Sequence, residues 1–128
     1  MNHLIGQWGL YQWFEENGTD LVHPDDLNSI RRNLPLGKVF ECVGQDGGYL
    51  VLAYGDFRIR VKPRLFKPVP SPARRIGDKV SITSQEKKLR VVIVDIGWHF
   101  KRAEPIYFVA TDGKKRSKRY WQDDFDVD

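Results

Sequence analysis

Cysteine is almost absent. Cys42 stands alone among 128 residues, so no intrachain disulfide can form, and a lone thiol fits a reducing compartment. Long apolar runs are missing too: nothing approaches the roughly 20 residues that cross a bilayer as a helix, and the mean hydropathy is −0.51. The opening Met1-Asn2-His3-Leu4-Ile5-Gly6 has no charged stretch leading into an apolar one, so no secretory signal is expected. The expectation is a cytoplasmic chain without membrane attachment.

Catalytic and ligand-binding spacings are also lacking. His3, His23, His99 and Cys42 are scattered, with no C-x₂-C, H-x₃-H or H-E-x-x-H arrangement, so neither a metal nor a cofactor is expected. Cys42 lies in mid-strand and reads as a small buried hydrophobe rather than a nucleophile. No serine stands in a G-x-S-x-G elbow. The carboxylate pairs Asp25-Asp26 and Asp123-Asp124 suit a helix N-terminus and a turn better than a cleft. Gly44 and Gly47-Gly48 read as a hairpin turn, not a phosphate cradle. The chain is not expected to be an enzyme.

What is present is β patterning punctuated by turns. Residues 7–15 read as a strand, with Trp8, Leu10 and Phe14 on one face and Tyr11 and Trp13 on the other. Residues 24–33 read as one short helix, opened by Pro24, with Leu27, Ile30 and Leu34 on one stripe. Strands come next at 38–43, 49–54 and 57–62, where Phe57, Ile59 and Val61 alternate with Arg58, Arg60 and Lys62, a solvent-facing cationic stripe that Arg64 continues. Pro63 opens a 3₁₀ turn. Pro68, Pro70 and Pro72 stiffen a linker, giving three parts: 1–69, a Pro-rich linker at 70–76, and 77–128. Beyond it, strands are expected at 78–83 and 89–96, then a loop at 97–104. More strands are expected at 105–111 and, after the Asp112-Gly113 turn, at 114–120. A 3₁₀ turn at 121–124 leads into a short strand at 125–127.

A shift of 58 residues aligns the halves without a gap over their last 21 positions: Tyr49 with Tyr107, Val51 with Val109, Gly55 with Gly113, Arg58 with Arg116, Val69 with Val127. The order of strands, tight turn, 3₁₀ turn and short last strand resembles the SH3-like small barrel. The fold class expected is therefore mainly β: two SH3-like small barrels in tandem with one short helix near the N-terminus, residues 7–15 supplying a strand to the first. The segment from Ile96-Gly97-Trp98-His99-Phe100 through Gly113-Lys114-Lys115-Arg116-Ser117-Lys118-Arg119-Tyr120-Trp121 to Asp123-Asp124 resembles small bacterial proteins, mostly uncharacterised, of toxin–immunity neighbourhoods. That resemblance implies a binding role.

Charge points the same way. Lys and Arg number 21 against 17 Asp and Glu, a net +4 with a pI near 9.3. The basic run Lys114, Lys115, Arg116, Lys118, Arg119, with Tyr120 and Trp121 directly after it, reads as a surface that grips anions, or as an edge strand using cations to block aggregation. Either its register slips by one residue, since in the repeat Lys115, Ser117 and Arg119 align with the inward Phe57, Ile59 and Val61, or its face is left polar for a partner. Trp98, His99 and Phe100 form a second candidate, Trp98 also being suited to plug a barrel end and His99 to exposure. Trp8, Tyr11, Trp13 and Phe14 are expected to seal the two units together. The expected function is a non-catalytic macromolecule-binding protein. Binding of a protein partner, which an immunity or adaptor protein would occlude, stands first. Nucleic-acid binding by the basic strand and its aromatics is the alternative, against which Asp123, Asp124, Asp126 and Asp128 would repel phosphate.

Overall fold

A computed structural model describes residues 2–126 and is mainly β, with two sheets and one short helix. The chain divides into two compact units, Met1–Ser71 and Pro72–Asp128.

The first unit is a five-stranded antiparallel sheet of β1 (Trp8–Tyr11), β2 (Phe40–Asp46), β3 (Tyr49–Tyr54), β4 (Phe57–Val61) and β5 (Phe66–Val69), in the order β4-β3-β2-β1-β5. All four residues of β1 are buried, because β1 lies between two neighbours. Gly9 is required there by space alone: a Cβ would stand 2.6 Å from Phe66 Cζ and 2.7 Å from the Lys67 carbonyl oxygen. A core cluster of Tyr11, Trp13, Leu21, Val22, Ile30, Phe40, Cys42, Leu50, Leu52, Ile59, Val61 and Phe66 fills the unit. Burial raises the Cys42 thiol pKa above its ordinary value.

Several expectations are corrected here. β1 ends at Tyr11, and Glu15–Asn17 is a 3₁₀ turn. Phe14 is therefore exposed, while Trp13 is buried and donates its indole N–H to the Gly18 carbonyl at 2.9 Å. Tyr11 and Trp13 serve this unit's own core rather than a seal. The helix α1 (Leu27–Arg32) comes after a 3₁₀ turn at Pro24–Asp26 and buries Ile30. Asn33 leaves helical geometry at φ −124°, ψ 75°, which strands Leu34 in solvent. Arg60, expected on a solvent stripe, instead anchors this segment. Asp26 Oδ2 accepts from both its backbone N–H and its Nε at 2.8 Å, Asp26 Oδ1 accepts from Nη2 at 3.0 Å, and Asp46 lies 3.7 Å away.

The second unit holds β6 (Lys79–Ser84), β7 (Lys87–His99), β8 (Glu104–Thr111) and β9 (Lys114–Lys115), in the order β6-β7-β8-β9. Phe125 then bridges to Ile82, and the Asp126 N–H donates to the Ser81 carbonyl at 2.9 Å, returning the chain to β6. Val127, expected in that last strand, lies outside the described residues. Val80, Ile82, Val91, Ile93, Ile96, Tyr107, Val109, Tyr120 and Phe125 are buried. Burial raises the Tyr107 phenol pKa, and its hydroxyl accepts the Ala73 N–H at 3.2 Å. β7 runs past the expected end to His99, pairing Trp98 with Pro105 and His99 with Glu104, so the loop shrinks to 100–103. The expected strand at 114–120 stops after Lys115.

The two units reuse the same backbone devices at different spacings. Gly6 and Gly77, at φ +92° and +96°, each donate to the carbonyl of the strand residue (Cys42, Ile93) whose N–H bonds the next residue's carbonyl (Gln7, Asp78). Val43 and Val94 each sit at a register shift, opposite Leu52/Val51 and Val109/Phe108. Tyr11 pairs with Phe66 as Ile82 does with Phe125. The ungapped shift of 58 is thereby corrected. Leu50 and Leu52 correspond to the buried Tyr107 and Val109, a shift of 57, whereas Val61 and Phe66 correspond to Tyr120 and Phe125, a shift of 59. Gly55 is the first residue of its turn and Gly113 the second.

This packing makes two quantitative demands. Gly9→Ala should destabilise the protein by about 1–3 kcal/mol, read as a lower urea midpoint at unchanged slope. Asp26→Asn should cost about 1–2 kcal/mol at neutral pH. Hydrogen bonding from Arg60 holds the Asp26 carboxyl pKa below its ordinary value, so its stabilisation is present above that value and fades as pH falls through the lowered folded one. The wild-type and variant unfolding midpoints should therefore begin to converge below about pH 4 and draw together as the folded-state carboxyl protonates; a gap that does not narrow as pH falls would contradict the pairing.

Candidate functional site

Charge is divided unevenly between the units. Residues 1–71 carry eight Lys and Arg and eight Asp and Glu, whereas residues 72–128 carry thirteen against nine. The whole net +4 belongs to the second unit.

The β8–β9 hairpin explains how that charge is displayed. Asp112 and Gly113, both at positive φ, make its two-residue turn; Thr111 pairs with Lys114 and Ala110 with Lys115. The Arg116 N–H still reaches the Val109 carbonyl at 2.8 Å, but the next pair is Tyr107 with Tyr120, joined by two bonds of 2.8 Å. Between those points β8 advances two residues and the other side four. Ser117, Lys118 and Arg119 bulge out and are exposed. The register does slip, by two residues within the hairpin rather than the one expected.

The predicted residues divide in two. Tyr120 is 4% exposed and stacks on Phe125, so it belongs to the core. Lys115 pairs with Asp95 and lies 5.0 Å over the Phe108 ring. Lys114, Arg116, Lys118 and Arg119 have no carboxylate within ion-pair distance among the described residues. The acids further along the chain are occupied locally: Asp124 Oδ2 accepts the Trp121 N–H at 2.8 Å, and the Asp126 carboxylate accepts the Thr83 hydroxyl.

The aromatic candidates meet the basic segment at Trp121. Its ring lies 5.2 Å from His99, edge-on at 67°, with the Arg102 guanidinium 3.8 Å over its centroid and that of Arg119 at 5.6 Å. His99 Nδ1 accepts the Arg102 N–H at 3.0 Å, which leaves the neutral ring's proton on Nε2 and fixes the short 100–103 loop. Phe100, at its tip, is 58% exposed; Trp98 is half-buried on the strand side that carries Ile96. Trp121 is thus a platform under two guanidinium groups: that of Arg102 reaches Glu104 Oε1 at 3.5 Å, whereas that of Arg119 has no carboxylate within ion-pair distance among the described residues. Arg102 was the residue missed by sequence reading. Its place emerges only once β7 and β8 are seen to run to the His99–Glu104 pair, bringing 100–103 beside residue 121.

A family model described as a family of unknown function (DUF6960) matches residues 1–126. No curated protein and no solved structure matches the chain.

The division between core and surface is testable. Tyr120→Ala should destabilise the protein by about 3–5 kcal/mol through the cavity it leaves, whereas Lys118→Ala should change stability by no more than about 0.5 kcal/mol. Urea unfolding monitored by tryptophan fluorescence distinguishes the two; equal effects would contradict the assignment.

Proposed function

We propose that this chain, which belongs to the DUF6960 family of unknown function, is a non-catalytic protein-binding module of immunity or adaptor type. It is read as two SH3-like small barrels in tandem, acting in the cytoplasm and occluding an acidic face of its partner with the second unit. The carrying observation is the group of cations without carboxylate partners among the described residues, Lys114, Arg116, Lys118 and Arg119, which runs at Arg119 onto the Trp121 ring beside His99. A run of cations that ends on an aromatic cluster offers what an acidic protein surface needs: apolar area to bury and charge to steer the approach. The strand order β4-β3-β2-β1-β5, with a 3₁₀ turn at Pro63–Leu65 before β5, supports the small-barrel reading of the first unit. The Gln122–Asp124 turn before the Ile82–Phe125 bridge supports it for the second.

Nucleic-acid binding is the competing reading, favoured by the bulged basic segment. Arg102 already covers the Trp121 ring at 3.8 Å, which counts against base stacking there. The test compares wild type with Lys118→Glu/Arg119→Glu. The pair should abolish co-purification of a specific partner from the native host, while single- and double-stranded oligonucleotides should show no tight binding at about 50 mM salt. Partner capture unchanged by the double variant, or oligonucleotide binding with a steep salt slope lost in it, would remove the protein-binding reading.

A further inference from the structure

The units differ at one edge, and the difference identifies what the second unit lacks. In the first, residues 12–39 connect β1 to β2, and part of that connection lies along β4. Val22 bridges Val61, the His23 N–H donates to the Arg60 carbonyl at 2.9 Å, and the Lys62 N–H donates to the Leu21 carbonyl at 2.8 Å. Four residues beyond the bridge, Asp26 clamps the Arg60 guanidinium. Backbone and side chain of Arg60 are thus satisfied together by one acidic strap, extended at Val22–His23 and turned back as 3₁₀ at Pro24–Asp26.

In the second unit the corresponding connection, between β6 and β7, is the two-residue turn Gln85-Glu86, so nothing there can form a strap. The shift of 59 that relates Val61 to Tyr120 relates Arg60 to Arg119 and Lys62 to Trp121. The Arg119 carbonyl has no hydrogen-bond partner among the described residues, and its guanidinium meets only the Trp121 ring. The Trp121 N–H is held by Asp124, so the edge presents the Arg119 carbonyl as its open position.

We propose that the edge at Arg119–Trp121 accepts a segment of a protein partner that is extended for two residues and then turns, with an apolar residue at the bridge position and a carboxylate four residues further on, as Val22 and Asp26 stand on β4. This rests on the protein-binding reading above and names the partner's chemistry. The incoming strand donates an N–H to the Arg119 carbonyl, as His23 does to Arg60, and its carboxylate takes the Arg119 guanidinium in a two-bond fork. Lys118, exposed and without a carboxylate partner among the described residues, adds attraction for an acidic segment. A phosphodiester backbone satisfies the cations but brings no donor for the carbonyl, which is why the edge favours a peptide.

The probe is a synthetic peptide of residues 19–28 of this chain, titrated into the full-length ¹⁵N-labelled protein. Saturable amide shifts should centre on Lys118–Trp121. Peptides carrying Asp25→Asn/Asp26→Asn, or an N-methyl group on the His23 amide, should each bind at least about tenfold more weakly, and Arg119→Glu protein should not bind the parent peptide. Shifts absent from 118–121 would overturn the proposal. So would equal binding of the N-methylated peptide; the strand pairing then falls, while an electrostatic role for the basic surface stands. Oligonucleotides that shift these amides while the peptide does not would remove both. Concentration-dependent self-association shifting the same amides would make a second copy the occupant and overturn a foreign partner.

Discussion

The second unit depends on the backbone pair between Tyr107 and Tyr120. Its two 2.8 Å hydrogen bonds commit Tyr120 to the core, where its ring meets Phe125. The Asp112-Gly113 turn commits Lys114 and Lys115 to a different register. Both cannot hold along a regular ladder, so two residues are surplus and leave it as a bulge. Every feature of the candidate site descends from that mismatch. Ser117, Lys118 and Arg119 are expelled because the two surplus residues must be absorbed between Arg116 and Tyr120, and Trp121 reaches His99 and Arg102 because the residue before it is fixed.

The same physics runs through the first unit with different spacing. Both units turn in on a positive-φ glycine, shift register at a valine, and return a phenylalanine to the first strand. What separates them is where the extra chain length lies. The first unit places it between β1 and β2, where it yields α1 and the strap that covers β4. The second uses a tight turn there and keeps its irregularity in the basic hairpin. Arg60 and Arg119 hold matching positions, one satisfied internally and one not. The role of a cation is set by whether the chain supplies its carboxylate.

Local and non-local signals account for how much was legible in advance. Alternation in Phe57–Val61 and the Asp112-Gly113 turn carried enough local signal to place the strands and the β class. The repeat was visible only as an average: true offsets of 57 and 59 bracket the ungapped 58, which therefore set buried residues against exposed ones. Tyr49 and Tyr107 matched as letters, yet one lies 5.0 Å from His23 and the other in the core. Of the site, the cationic run and Trp121 were readable by composition. Tyr120 was misplaced because a two-residue slip leaves no mark in the sequence, and Arg102 was missed because its contact with Trp121 is made across a hairpin end. Arg60 looked like a solvent residue because its alternation was right; its partner Asp26 lies 34 residues away.

The basic segment invites the simpler explanation that its charges only keep an edge from pairing. Lysines do serve that purpose on long, flat edge strands. Here the edge is already broken: β9 is two residues long, and the bulge carries residues 117–119 out of the ladder. Lys114 and Lys115 suffice to blunt a strand of that length, and Lys115 is drawn back to Asp95. Arg116, Lys118 and Arg119 are surplus to that task. Lys118 and Arg119 sit where the backbone has left the sheet, and all three have no carboxylate partners among the described residues. Like charges clustered on one surface raise the free energy of the isolated protein, a cost that edge protection does not require and that the proposed acidic partner would offset.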